Sequence, residues 1–161
     1  MPVFSVARAK QSLIELFLHP NASISGPFDY RVTSLYWQAM DMASDAKKYQ
    51  HLAGTPYVYE QLLDARFRIS PSTFFQTNTR SAEVLYVEIA NALGLTRQER
   101  AKPMLIMDIC CGAGTIGIAC MKLVEKQKSQ SLCGCVGVEI VPEAIEDAKR
   151  NVRENGLREG R

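Results

Sequence analysis

Met104–Ile109 is an apolar run broken only by Asp108, and it leads straight into Cys110-Cys111-Gly112-Ala113-Gly114-Thr115-Ile116-Gly117. A run without polar alternation reads as a strand buried on both faces, as parallel strands between helical layers are. Thr115–Lys126 then carries Ile116, Ala119, Cys120 and Leu123 at helical spacing. Cys135–Ile140 is a second buried strand by the same reasoning, and Pro142–Asn155 is a second helix. Pro142 stands in its first turn, with Glu143, Glu146 and Asp147 early, Lys149, Arg150 and Arg153 late, and Gly156 just past the end. That order complements the helix dipole and puts Pro and Gly where each is tolerated. Strand–helix–strand–helix of this kind opens a doubly wound α/β sheet, so the spacing predicts the first half of a Rossmann-like domain.

The residues before it read differently. Val6, Ala9, Leu13, Leu16 and Phe17 predict a helix over Ser5–Leu18, ended by His19-Pro20-Asn21, with a turn-rich Asn21–Pro27 after it. Tyr30–Trp37 suits a strand, and Asp41–Gln50, polar and without a clean period, reads as a loop. Tyr57–Glu60 and Arg66–Ile69 read as short strands paired across Gln61–Ala65. Ala82, Leu85, Tyr86, Ile89 and Leu93 mark a helix with Asn78 or Thr79 as N-cap and Gly94 as terminator. Pro103 precedes the first parallel strand. The expected organisation is a small α+β segment over 1–70 and a partial Rossmann-like domain over 71–161.

Composition narrows the function classes. Nineteen Lys and Arg against seventeen Asp and Glu give a net charge of +2, which by itself does not point to a nucleic-acid binder. No apolar run approaches the about 20 residues of a membrane span, and the first twenty residues carry Arg8, Lys10 and Glu15 rather than a secretory core. The five cysteines, Cys110, Cys111, Cys120, Cys133 and Cys135, are odd in number and contain no C-x-x-C pair. Neither a disulfide framework nor a zinc site is expected; reduced thiols in an intracellular protein are.

The chemistry lies in the turn. Gly112, Gly114 and Gly117 match G-x-G-x-x-G, placed after a strand and opening a helix. Glu139 ends the next strand, where a carboxylate can accept both ribose hydroxyls of a nucleoside. A dinucleotide would bring a dianionic pyrophosphate to this turn, and Asp108 at the strand mouth would repel it. The ammonium of S-adenosylmethionine would pair with Asp108 instead; the alternative role for Asp108 is a structural cap of the loop. A second cluster, Phe67-Arg68-Ile69-Ser70-Pro71-Ser72-Thr73-Phe74-Phe75-Gln76-Thr77-Asn78-Thr79, ends at a helix start. Phe74 and Phe75 can close an apolar wall, and Gln76 can both donate to and accept from a zwitterionic amino-acid group. The bland alternative is a hydrophobic staple, which accounts for one Phe and leaves Gln76 without a role.

These motifs, F-R-I-S-P-x-x-F-F-Q-x-N-T, A-E-x-L-Y, D-x-C-C-G-x-G-T-I-G and G-V-E, resemble the uracil-C5 RNA methyltransferase family, in particular the eukaryotic branch acting on the T-loop uridine of tRNA. Thr33-Ser34-Leu35-Tyr36, His51-Leu52-Ala53-Gly54 and Tyr59-Glu60-Gln61-Leu62-Leu63 fit the same branch. The resemblance implies a Rossmann-like S-adenosyl-L-methionine-dependent methyltransferase domain with tRNA as partner and no metal. It puts Gln76, Cys110 and Thr115 on cofactor-contacting positions and Glu139 on the ribose-binding acid, with Asp108, Gly112 and Gly114 shaping the loop. Cys110 departs from bacterial relatives, which tend to carry an aromatic there, so its contact is expected through backbone.

The family's reaction adds a cysteine thiolate to C6 of uracil, methylates C5 and removes the C5 proton with a base. Its cysteine precedes an Asn-Pro pair, and no Cys-Asn-Pro occurs in this sequence. The expectation is therefore a partial chain that holds half the cofactor site, carries no catalytic residue and is inactive and poorly soluble alone. A non-catalytic nucleoside- or RNA-binding remnant is the alternative, and half of a nicotinamide-cofactor oxidoreductase is disfavoured by Asp108. The expected location is intracellular, in the cytoplasm or nucleus rather than the mitochondrion.

Overall fold

The computed structural model describes residues 5–18, 31–39, 48–96, 104–127 and 132–158. The chain divides into two compact units, Met1–Val58 and Tyr59–Arg161. In the first, helix α1 (Val6–Leu18) packs on an antiparallel pair, β1 (Ser34–Ala39) and β2 (Lys48–Gly54). Lys10 of α1 sits 5.3 Å over the Trp37 ring and donates to Gln50. Tyr36 and His51 face each other across the pair, ring centroids 5.0 Å apart. Gly54 adopts φ 81°, and a Cβ there would lie 2.3 Å from the Thr33 carbonyl oxygen, so no other residue fits this close turn.

Two expectations are corrected here. The strand predicted over Tyr30–Trp37 begins only at Ser34, and the loop predicted over Asp41–Gln50 contains the start of β2. Lys48-Tyr49-Gln50-His51 lacks an apolar alternation; the strand is held by its ladder to β1, with the Tyr36 and His51 rings in contact across it. The predicted helix stop at His19-Pro20-Asn21, the turn-rich Asn21–Pro27 and Pro103 lie outside the described residues.

The second unit opens with β3 (Val58–Leu62) and β4 (Ala65–Ile69), joined by Leu63 and Asp64 at φ 49° and 62°. Two left-handed residues in a two-residue turn match the twist of a hairpin. Leu62, Ala65 and Phe67 are fully buried. There follow α2 (Thr79–Ala92), β5 (Met104–Ile109), α3 (Thr115–Lys126), β6 (Leu132–Val138) and α4 (Pro142–Glu154). Asn78 caps α2, its Oδ1 accepting from Ser81 N at 3.0 Å. Gly94, at φ 68°, ends it: Gly94 N donates to Asn91 O and Leu95 N to Ala90 O, while the Leu95 side chain is fully buried. The same double bond closes α4 at Gly156 and Leu157. Both glycines do what the sequence pattern asks of them.

Helix α3 is the hub. It packs on β4 as well as on β5 and β6. Ile118 and Ala119 join Phe67, Tyr86 and Leu62, and Cys120 and Val124 join Ala90, Leu95 and Ile106. A helix with Gly117, Ile118, Ala119 and Cys120 all buried has little face left for water. β5 and β6 pair in parallel with α3 as their crossover, so the α/β, Rossmann-like reading holds.

The parallel strands differ from expectation in two ways. They were expected to be buried on both faces, yet among the described residues only the α3 side is covered. Leu105, Met107 and Ile109 are 58 %, 65 % and 60 % exposed, and Val136 and Val138 lie exposed beside them. β6 also runs over Leu132–Val138 rather than Cys135–Ile140. Its ladder ends where the Val138 carbonyl is taken by Cys110 N and Cys111 N, and Ile140 beyond it is 92 % exposed. The β3–β4 hairpin, grouped with the N-terminal segment in the sequence reading, packs through β4 on α3 and α4.

Gly117 shows how tightly helix and sheet meet: a Cβ there would lie 2.7 Å from Cys135 Sγ. Gly117→Ala should lower stability by about 1–3 kcal/mol, the usual cost of overpacking. Adding Cys135→Ala should recover most of the loss. Urea unfolding of the single and double variants measures both effects, and equal instability of the two would show that the crowding lies elsewhere.

Candidate functional site

The turn between β5 and α3 is built from left-handed residues. Cys110, Gly112 and Gly114 have φ of 65°, 55° and 77°. For Cys110, a residue with a Cβ, this conformation is uncommon and marks a constrained position. The constraint is visible: Cys110 N and Cys111 N both donate to the Val138 carbonyl, at 2.7 and 3.0 Å. Gly114 N closes the turn on Cys111 O at 2.8 Å, and Gly114 then caps α3 without a side-chain bond. Nothing lies within 4 Å of where a Gly112 Cβ would stand, so the backbone there faces open space. Gly117, the third glycine of the pattern, instead serves the packing of α3 on β6.

Glu139 follows β6 and locks the turn from the other side. Its Oε2 accepts from Gly112 N at 3.0 Å, and its Oε1 accepts from Ile140 N at 2.8 Å and Val141 N at 3.0 Å. Val141 is the N-cap of α4, so one carboxylate joins the glycine turn to the head of that helix. The backbone N–H groups of Val141 and Gly112 hold its carboxyl below the usual range, against a smaller opposing effect of desolvation.

Asp108 lies under the helix rather than over the turn. Its Oδ2 is 3.9 Å from where a Gly117 Cβ would stand, and it is buried without a hydrogen-bond partner. Burial pushes its carboxyl up, partly offset by the Gly117 N–H. Three thiols surround this junction. Burial raises Cys111, and raises Cys120 and Cys135 to about 11, with Asp108 adding to each. At neutral pH they are protonated and weakly nucleophilic. Cys110 is exposed. No group of three or more metal-binding side chains occurs among the described residues.

Of the predicted site residues, Asp108, Cys110, Gly112, Gly114, Thr115 and Glu139 come together in this one junction. Thr115 Oγ1 accepts from the Tyr86 hydroxyl at 3.2 Å, which ties the head of α3 to α2. Gln76 is half-buried in a segment anchored from elsewhere: Asp147 of α4 accepts from Ser70 N, Ser70 Oγ and Thr73 Oγ1 at 2.9–3.0 Å. Phe75 turns inward onto Phe67, centroids 5.9 Å apart, while Phe74 is 75 % exposed. The two aromatics thus do different work, Phe75 as a core contact on β4 and Phe74 as open surface. The sequence reading missed Tyr86, Asp147 and Asn151 as supports of the site. The overlooked signal was Asp147, Asn151 and Asn155 at intervals of four on one face of a helix.

No family model matches the chain. Two curated human proteins do, however: it is 36 % identical to tRNA (uracil-5-)-methyltransferase homolog A over 156 residues and 33 % identical to homolog B over 151. These alignments take in 94 % and 92 % of the chain but only 22 % and 26 % of the relatives, so the chain spans about a quarter of their length. Among solved structures, the Pyrococcus abyssi tRNA (uracil-54, C5)-methyltransferase in complex with S-adenosyl-L-homocysteine superposes with a TM-score of 0.54 at 26 % identity. That match covers 81 % of this chain and 30 % of the other. The M. jannaschii tRNA m1G37 methyltransferase, at 16 % identity and TM-score 0.53 over 96 % of this chain and 38 % of that one, shares the fold. Over nearly its whole length, the chain is similar in sequence to the tRNA (uracil-5-)-methyltransferases.

Proposed function

We propose that this chain forms the cofactor-holding part of a tRNA uracil-C5 methyltransferase and binds S-adenosyl-L-methionine at the β5–α3 turn. The observation that carries the reading is Glu139, fixed at the mouth of the turn by three backbone donors. An ionised carboxylate has about four acceptor sites, so capacity remains for a ribose hydroxyl. Asp108, half-buried beneath α3, adds negative charge to the junction, which opposes a pyrophosphate there and suits an ammonium. The P. abyssi relative, which carries S-adenosyl-L-homocysteine, supports the same choice of cofactor.

In this reading Gly112 and Gly114 let the backbone approach the ligand, Cys110 contacts it through main chain, and Thr115, steadied by Tyr86, lines the head of α3. Gln76 binds the amino-acid end. When bound, the cofactor supplies an electrophilic methyl group for C5 of a T-loop uridine. This chain's residues hold and orient it; the thiol that attacks C6 and the base that takes the C5 proton are not among them. The raised pKa values of Cys111, Cys120 and Cys135 support that division. They equally support a second reading, a non-catalytic nucleoside-binding module. No helix among the described residues is long and apolar enough to cross a membrane.

Calorimetric titration of S-adenosyl-L-homocysteine into the chain tests the site. Glu139→Ala should weaken binding roughly 10- to 100-fold, the range for losing a charged hydrogen bond. Glu139→Gln, which keeps one acceptor, should fall between. Unchanged affinity in Glu139→Ala would remove the ribose role.

Asp108 gives a pH-dependent expectation. Its folded pKa is raised, so its ionisation opposes folding above that pKa, and the penalty vanishes below the unfolded value near 3.8. Asp108→Asn should therefore melt at or above the unaltered chain at pH 7. The advantage should shrink as pH falls towards 4, while ligand affinity drops. Thermal melts across that range check the sign, and a variant less stable at pH 7 than at pH 4, relative to the parent, would reverse it.

Incubating the chain with labelled S-adenosyl-L-methionine and unmodified tRNA should give no incorporation above a blank. Clear incorporation would mean that one of its own cysteines performs the C6 addition.

A further inference from the structure

Helix α4 reads the free edge of β4 with side chains, much as a neighbouring strand would with backbone. Asn155 Oδ1 accepts from Arg66 N at 2.9 Å and its Nδ2 donates to Arg66 O at 2.8 Å. Asn151 repeats the pair on Arg68, at 2.7 and 3.2 Å. Asp147 takes the third rung from Ser70 N at 2.9 Å and pairs with the Arg68 guanidinium at 3.3 Å. The helix contributes every fourth residue and the strand every second, in opposite directions. Four helical residues advance about 6.0 Å and two strand residues about 6.7 Å, so the repeats stay nearly in step over three rungs.

The middle rung does something the outer one does not. Asn151 is fully buried, and its Nδ2 also donates to the Ala113 carbonyl at 3.1 Å. Ala113 stands between the two left-handed glycines of the turn and is 1 % exposed. Both amide hydrogens of Asn151 are thereby used, one on β4 and one on the glycine turn. β4 in turn leads directly into the Ser70–Gln76 segment that Asp147 anchors.

We infer that Asn151 is a positioning residue for the glycine turn: it sets the Ala113 carbonyl, and with it the Gly112 and Gly114 backbone, relative to the Gln76 segment. It touches no ligand. Its effect on ligand binding rests on the site proposed above; its effect on the turn does not. Asn155 is the internal control: it has the same chemistry on the same strand, and its remaining amide hydrogen goes to the Asn151 carbonyl at 2.7 Å rather than to the turn. Asn151→Asp keeps size and the Oδ1 acceptor but sets a carboxylate oxygen against two carbonyls.

The test compares Asn151→Asp with Asn155→Asp in the full chain. Both should lower the melting temperature. Amide hydrogen exchange over Cys111–Thr115, without ligand, should quicken by about tenfold or more only in Asn151→Asp, as loss of a buried hydrogen bond implies. The S-adenosyl-L-homocysteine Kd should rise by about tenfold in that variant and stay within about twofold of the parent in the other. Equal changes in both variants, or no change in the turn, would overturn the inference. If the unaltered chain does not bind S-adenosyl-L-homocysteine, the proposed site fails while the exchange data still decide the role of Asn151. If Asn151→Asp does not fold, the side-chain amide protons of Asn151 in the unaltered chain decide it. They should exchange slowly and shift with ligand while those of Asn155 stay put; fast exchange or no shift overturns it.

Discussion

The end of β6 holds the glycine turn in place, and the rest of the junction depends on that hold. Val138 O takes two consecutive N–H groups, Cys110 and Cys111, and the next residue, Glu139, takes a third from Gly112. A turn with residues at φ 65°, 55° and 77° does not persist on its own preferences, least of all at a cysteine. Here it is over-determined by acceptors on one neighbouring strand. The same Glu139 satisfies N–H groups at the head of α4, so that strand, turn and helix share one carboxylate. Stopping the β6 ladder at Val138 is what frees Glu139 for this work.

Much of the second unit was legible because its signals are local. Met104–Ile109 and Thr115–Lys126 coincide with β5 and α3, and Gly94 and Gly156 stand where the helices end. What was not legible depends on partners distant in sequence. β2 forms from polar residues because β1 is beside it. The apolar runs of β5 and β6 signal burial, but which face is covered depends on where α3 and the end of α2 pack. Asp147 read as a charge suited to a helix N-terminus; in the fold it is 1 % exposed and anchors a segment more than seventy residues upstream. Of the site, the glycines and Glu139 could be read in order along the chain. The place of Asp108, beneath α3 instead of at the mouth of the turn, could not, because it follows from the close approach that Gly117 allows.

The two carboxylates of the junction illustrate a division between stability and use. Glu139 is ionised easily, with backbone donors around it, and is available at the surface. Asp108 is costly to ionise and lacks a partner for Oδ2. Buried under α3, that oxygen bears on the stability of the junction, while Glu139 faces the turn. The chain represents about a quarter of the length of the relatives it is similar to.

The most direct test of the account is where S-adenosyl-L-homocysteine binds. Titrating it into isotopically labelled chain and following backbone amide resonances locates the site without a substitution. The account predicts saturable shifts concentrated at Asp108–Thr115, Glu139–Val141 and Gln76. Saturable shifts that spare Gly112 and Glu139, or none at all, would contradict it.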